Sequence, residues 1–129
     1  MTKIIISNVS DPPIYQQIKG QIKDAILRGE LAEGELLPSI RALANDLHVS
    51  VLTTRRVYDE LETEGFITTR AGKGSYVAQG NLELLRESKR RMVEAKLTEA
   101  WNAALSLGIS KSELYQMMDL LFEEGDSEQ

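Results

Sequence analysis

The stretch "VSVLTTRRVYDEL" at residues 49–61 gathers Ser50, Thr53, Arg55 and Arg56, and an acidic run of Asp59, Glu60, Glu62 and Glu64 follows at once. Hydroxyl and guanidinium groups donate hydrogen bonds to anionic oxygens, and an arginine fork can grip a phosphate or a guanine edge with two bonds. This set can bind, but it holds no nucleophile–base pair with which to make or break a bond. Helix stability does not account for the order of charges. Acidic residues are favoured at helix N-termini and basic ones at C-termini, and here the order is reversed. At about 100° per residue, Thr54, Val57, Tyr58 and Leu61 face inward, while Leu52, Arg56, Asp59 and Thr63 point outward. Val51 and Arg55 lie on one flank, with Thr53 and Glu60 on the other. That polarity suits a helix whose basic start enters the major groove of double-stranded DNA and whose acidic end tilts away from the phosphates.

The elements needed to hold such a helix are legible on either side of it. "DPPIYQQIKGQIKDAILRG" predicts a helix capped by Asp11, with Pro12 or Pro13 in its first turn. Ile14, Ile18, Ile22, Ala25 and Ile26 share one face, and Gly29 stops it. "ELAEGELLPS" is a polar connector broken by Gly34 and Pro38. "SIRALANDL" predicts a short helix capped by Ser39, with Ile40, Leu43, Ala44 and Leu47 inward. His48 occupies the turn that follows, where a left-handed conformation is often required and histidine tolerates it better than most residues. Ser50 caps the next helix, which runs to about Glu64 and ends at Gly65. "FITTR" and "SYVA" are β-prone runs around the glycine-rich tip "AGKG", and they read as a hairpin. Helix, short helix, tight turn, helix and glycine-tipped hairpin together describe a winged helix-turn-helix over residues 1–80.

From Asn81 the pattern is helical only. Residues 81–129 predict a two-helix tail, with Leu85, Met92, Val93, Leu97, Ala100, Trp101 and Ala104 along one apolar side of the first helix. Gly108 closes that helix, and "SKSE" at Ser110–Glu113 has capping-box spacing. Leu114, Met117, Met118, Leu121 and Phe122 then form the apolar side of the last helix, before Gly125 and the acidic end of the chain. The fold class is thus mainly α with a small β-hairpin wing and a two-helix dimerisation tail. Leu85, Met92, Val93, Leu97, Trp101, Leu114, Met118, Leu121 and Phe122 are the expected homodimer interface.

The formal net charge of −5 argues mildly against nucleic-acid binding, which needs Lys and Arg at phosphates. Its distribution weakens the objection. Residues 1–80 hold nine Lys/Arg and ten Asp/Glu, whereas residues 81–129 hold six and ten, so most of the excess lies in the tail. With no cysteine, disulfides, thiolate metal sites and cysteine nucleophiles are excluded. Only a three-residue aliphatic run follows the N-terminal lysine, and no stretch reaches the ~18 apolar residues of a membrane span, so a cytoplasmic protein without membrane contact is expected. His48 is the single histidine and has no companions at ligand spacing. "AGKGS" lacks the spacing of a phosphate loop. No metal or cofactor is expected, and an enzyme is not. "RESKRR" at residues 86–91 reads as a solvated helix face.

Several runs match a known family collinearly: "PIYQQIKGQIKDAILRGEL", "GELLPSIRALA", "LHVS", "YDELETEGFI" and "GKGSYV". On these the chain resembles the N-terminal domain of the GntR family of bacterial transcription regulators, over about Pro13 to Val77, and its short tail resembles the YtrA-type branch. The resemblance implies a sequence-specific DNA-binding regulator of repressor type, a homodimer on an inverted-repeat operator. It implies DNA contact by Arg41 of the "PSIR" run, with Ser39 beside it. Ser50, Thr53 and Arg55 match the start of the recognition helix, and Gly72, Lys73 and Gly74 match a wing tip that reaches toward the minor groove. Many relatives have arginine directly after "VS". Here Val51 and Leu52 stand there, placed for thymine methyl groups, with Arg56 supplying part of the missing charge. A small-molecule effector could sit between the tail helices, although no polar constellation names one. The alternative, favoured by the net charge, is a winged helix used for protein contact with little or no DNA binding.

Overall fold

The computed structural model describes residues 3–9 and 12–128, with side chains described up to residue 125. The elements are α1 (Ile14–Leu27), α2 (Ile40–Leu47), α3 (Val51–Thr63), β1 (Ile67–Arg70), β2 (Gly74–Val77), α4 (Leu82–Leu107) and α5 (Lys111–Glu128). They divide into two compact units, Met1–Arg86 and Glu87–Gln129.

The first unit is built on α1. Ile18, Ile22, Ala25 and Ile26 are buried on one helical face, as their spacing predicts, and Ile14 is half-buried. Asp11, the expected cap, lies outside the described residues. Pro13 takes the N-cap position in extended backbone, and its carbonyl accepts from the Gln16 and Gln17 amides. Gly29 ends the helix at φ +82°, a conformation that glycine adopts without steric cost. Ahead of α1, the segment from Lys3 is tied down by two glutamines that act as surrogate peptide groups. Gln21 bonds both the N–H and the carbonyl of Ile5 (2.9 and 2.6 Å), and Gln17 does the same for Ser7 (2.9 and 2.9 Å). Ile4 and Ile6 thereby pack against the core.

α2 and α3 form the helix-turn-helix. The Ser39 hydroxyl accepts from the Ala42 amide (3.1 Å), and the Ser50 hydroxyl accepts from the Thr53 amide (2.9 Å). His48 sits between them in the left-handed region at φ 57°, ψ 43°, the one described non-glycine residue with positive φ. Thr54, Val57, Tyr58 and Leu61 are all buried, and they close over Leu43 and the α1 face. Thr54, fully buried, satisfies its hydroxyl on the Ser50 carbonyl at 3.2 Å.

β1 and β2 pair antiparallel in register from Ile67↔Val77 to Arg70↔Gly74. The connector before α2 is more ordered than its composition suggests. Leu36 bridges Tyr76, the Leu37 amide donates to Ser75 O (2.8 Å) and the Val77 amide to Glu35 O (2.9 Å), so residues 35–37 extend the hairpin along β2. Gly34 and Pro38 confine this pairing to too few residues for an alternating pattern to show.

In the second unit Gly108 closes α4 at φ +72°, and the Ser110 hydroxyl accepts from the Glu113 amide at 3.1 Å to open α5. Ala104 is buried and Ile109, Leu114 and Met118 are half-buried. α5 continues through Gly125 to Glu128, since a helix tolerates an interior glycine at a cost of ~1 kcal/mol.

Candidate nucleic-acid interface

The start of α2, the start of α3 and the wing meet at one cleft of about 490 Å³. Ser39 and Arg41 come to it from α2, Val51 and Arg55 from α3, and Lys73 and Gly74 from the hairpin, so six of the residues singled out from sequence share one surface. Ser50, Leu52, Thr53, Arg56 and Gly72 do not line it. Ser50 and Thr53 are bonded to each other, hydroxyl to hydroxyl at 2.8 Å, as part of the α3 cap. Leu52 stands outward and is 74% exposed.

The electrostatics of the cleft favour an anion. Arg41, Arg55 and Lys73 are exposed, and among the described residues none of them is paired with a carboxylate. Neither α2 nor α3 has an acidic residue in its first turn, so the positive ends of both helix dipoles lack an acidic side chain there. The wing tip is a tight turn closed by the Lys73 amide on Arg70 O at 3.0 Å. Gly74 there holds φ +112°, and a Cβ on it would come within 3.2 Å of the Leu36 side chain.

Tyr58 fixes the floor of the cleft. Its hydroxyl donates to Pro38 O at 2.7 Å, and burial pushes the phenol up to about 12. The bond ties α3 to the residue preceding the Ser39 cap, which a helical wheel cannot reveal.

The acidic end of α3 is occupied rather than merely turned aside. Glu60 takes ion pairs from Lys19 (2.8 Å) and Arg56 (2.9 Å), and Glu64 takes them from Lys19 (2.6 Å) and Lys23 (2.9 Å). Glu62 accepts from the Thr69 hydroxyl at 3.0 Å. Hydrogen bonds from Lys19 and then Arg56 hold the Glu60 carboxyl below its ordinary value. Burial pushes the Glu64 carboxyl up, but the bonds from Lys19 and Lys23 outweigh it and leave it lowered. Sequence reading missed Lys19 and Lys23 because they come from α1, 41 residues or more away along the chain.

In the tail, Met92, Val93, Leu97, Trp101, Leu121 and Phe122 are exposed. Leu114 and Met118 are half-buried within the tail unit, whereas Leu85 packs against the core of the first unit. Arg86, expected on a solvated face, instead donates to Leu27 O at 3.0 Å and so satisfies a carbonyl at the end of α1. Among the described residues no His/Cys/Asp/Glu cluster is arranged to hold a metal ion, and no helix is long and apolar enough to cross a membrane.

Comparison with known proteins agrees with this geometry. Residues 14–77 match the family described as bacterial regulatory proteins, gntR family. The HTH-type transcriptional repressor YtrA of Bacillus subtilis is 35% identical over 107 residues, 83% of this chain and 82% of that protein. A GntR family transcriptional regulator from Listeria monocytogenes superposes with a TM-score of 0.69 at 30% identity, over 88% of this chain and 97% of its own. The DNA-binding domain of AraR, solved in complex with operator ORR3, superposes with a TM-score of 0.51 at 25% identity, over 60% of this chain and 93% of its own.

Proposed function

Because this chain belongs to the gntR family of bacterial regulatory proteins, and so is a transcription regulator rather than an enzyme, we propose that it represses transcription as a cytoplasmic homodimer on an inverted-repeat operator. The observation that carries the DNA-contact reading is the convergence of Arg41, Arg55 and Lys73, none of them paired with a carboxylate, on one cleft between two helix N-termini and the wing. Arg55 and the Ser50 end of α3 enter the major groove, Arg41 and Ser39 meet the backbone beside it, and the Gly72-Lys73-Gly74 tip reaches the minor groove. Leu52 presents an apolar surface to the groove, suited to a thymine methyl group.

The homodimer reading rests on the tail. Leu97, Trp101, Leu121 and Phe122 leave large apolar side chains in water, which a second copy of the tail would cover. Two-fold pairing of the tails presents two winged units to DNA, hence an inverted repeat. The test is a gel shift with the gene's own upstream region, together with light scattering of the free protein. A retarded band that unrelated competitor DNA does not remove, and a dimeric mass, are expected. A monomeric mass would remove the homodimer, and failure to retard the fragment would count against self-regulation at that site.

A further inference from the structure

Arg56 follows Leu52 by one helical turn on the outward face of α3, and by position alone it would stand ready for a phosphate. Its side chain is 57% exposed, but its guanidinium is already engaged. The central carbon lies 3.5 Å from the centroid of the Tyr15 ring, and Nε donates to Glu60 at 2.9 Å. Cation–π attraction and an ion pair therefore act on the same group. Glu60 is anchored in turn by Lys19 at 2.8 Å, Lys19 reaches Glu64 at 2.6 Å, and Lys23 joins Glu64 at 2.9 Å while sitting 5.0 Å from the Phe66 ring centroid. The restraint on Arg56 is thus the end of a network that runs along the α1–α3 seam. Its neighbour Arg55 has no carboxylate partner among the described residues and lines the cleft.

We infer that Tyr15 and Glu60 are specificity-determining residues that hold Arg56 off the DNA, so that α3 offers Arg55 alone as its groove cation. The inference rests on the DNA-binding reading. Its physical content is a limit on sequence-independent attraction. Each phosphate contact strengthens binding to every duplex alike and steepens the salt dependence by about 0.9 in log–log slope for double-stranded DNA. An arginine whose face lies on a ring and whose Nε is bonded to a carboxylate must give up those contacts to turn toward a phosphate. In addition, the Glu60 carboxylate beside it repels phosphate.

The experiment measures binding of the full chain to a fluorescein-labelled duplex of arbitrary sequence by anisotropy, across potassium chloride concentrations of about 50 to 200 mM. Arg56→Ala is expected to leave the slope unchanged. Tyr15→Leu, which keeps an apolar side chain but removes the ring, frees Arg56 and steepens the slope by about 0.9. Tyr15→Phe keeps the ring face and behaves as wild type, and the Tyr15→Leu, Arg56→Ala double variant returns to the wild-type slope. Glu60→Gln, which leaves the ring in place, moves the slope in the same direction as Tyr15→Leu and decides the matter if that variant loses its helical circular dichroism. A purely structural role for Tyr15 predicts weaker binding and no steepening. A shallower slope for Arg56→Ala, or an unchanged slope for both restraint variants, overturns the inference alone. Absence of duplex binding by the wild-type chain overturns the DNA reading and this inference with it.

Discussion

The Tyr58 hydroxyl and the Pro38 carbonyl, twenty residues apart in sequence, meet at 2.7 Å and couple α3 to the entry of α2. Tyr58→Phe leaves that carbonyl without its donor and is expected to destabilise the fold by about 0.5–1.5 kcal/mol in urea titration. The phenol is raised in the fold to about 12 from an ordinary 10.0. Its contribution is therefore complete below the unfolded value and is lost as pH rises through the folded one. The gap between wild type and Tyr58→Phe should narrow above about pH 10, and a constant gap would show that the phenol is not the titrating group.

The α1–α3 network predicts an acid limb. Glu60 and Glu64 are lowered in the fold, so their stabilisation is present above the ordinary value of 4.5 and is lost as pH falls through the lower folded values. Lys19 runs the other way. It is raised by Glu60 first and Glu64 second, so its share is present below 10.5 and is lost as pH rises beyond. The thermal midpoint should hold across neutral pH and drop on acidification below the carboxylate range. Lys19→Met should lower the plateau and shallow that drop. A Lys19→Met curve parallel to wild type would assign the acid limb to other groups.

His48 carries the backbone strain of the turn. At φ 57° and ψ 43°, a β-branched residue fits poorly, and His48→Val is expected to cost about 1–2 kcal/mol. His48→Gly should be neutral or stabilising in the same denaturation assay, because glycine takes that conformation freely. A strongly destabilised glycine variant would mean that the imidazole itself is needed.

The cleft cations should separate by role. Arg55→Ala is expected to weaken operator binding by about 1–3 kcal/mol, and Lys73→Ala to reduce the log–log salt slope by about 0.9 while weakening all sequences alike. Anisotropy titrations on the fragment retarded in the gel shift measure both. Wild-type affinity in the Arg55 variant would remove that residue from the interface.

Much of this protein is legible in its sequence because the relevant physics is local. Ser39, Ser50 and Ser110 cap the helices that follow them, since a hydroxyl reaches an amide only three residues away. The buried faces of α1 and α3 follow from apolar spacing, and His48 and the wing glycines follow from backbone angles that few residues accept. The extension of the hairpin by residues 35–37 escaped that reading because pairing so short leaves no period to detect.

The tertiary structure decided which of two adjacent arginines is available. Arg55 and Arg56 are alike in chemistry and differ by one step around the helix. Their surroundings depend on Tyr15 and on a carboxylate, Glu60, that Lys19 grips across a separation of 41 residues. Charge order along α3 therefore comes from sequence alone, while the two lysines that pair with Glu60 and Glu64 reach them only once α1 lies alongside it. An ion pair or a stacked ring requires two groups within a few ångströms, and no periodicity of one segment records what another segment brings to it.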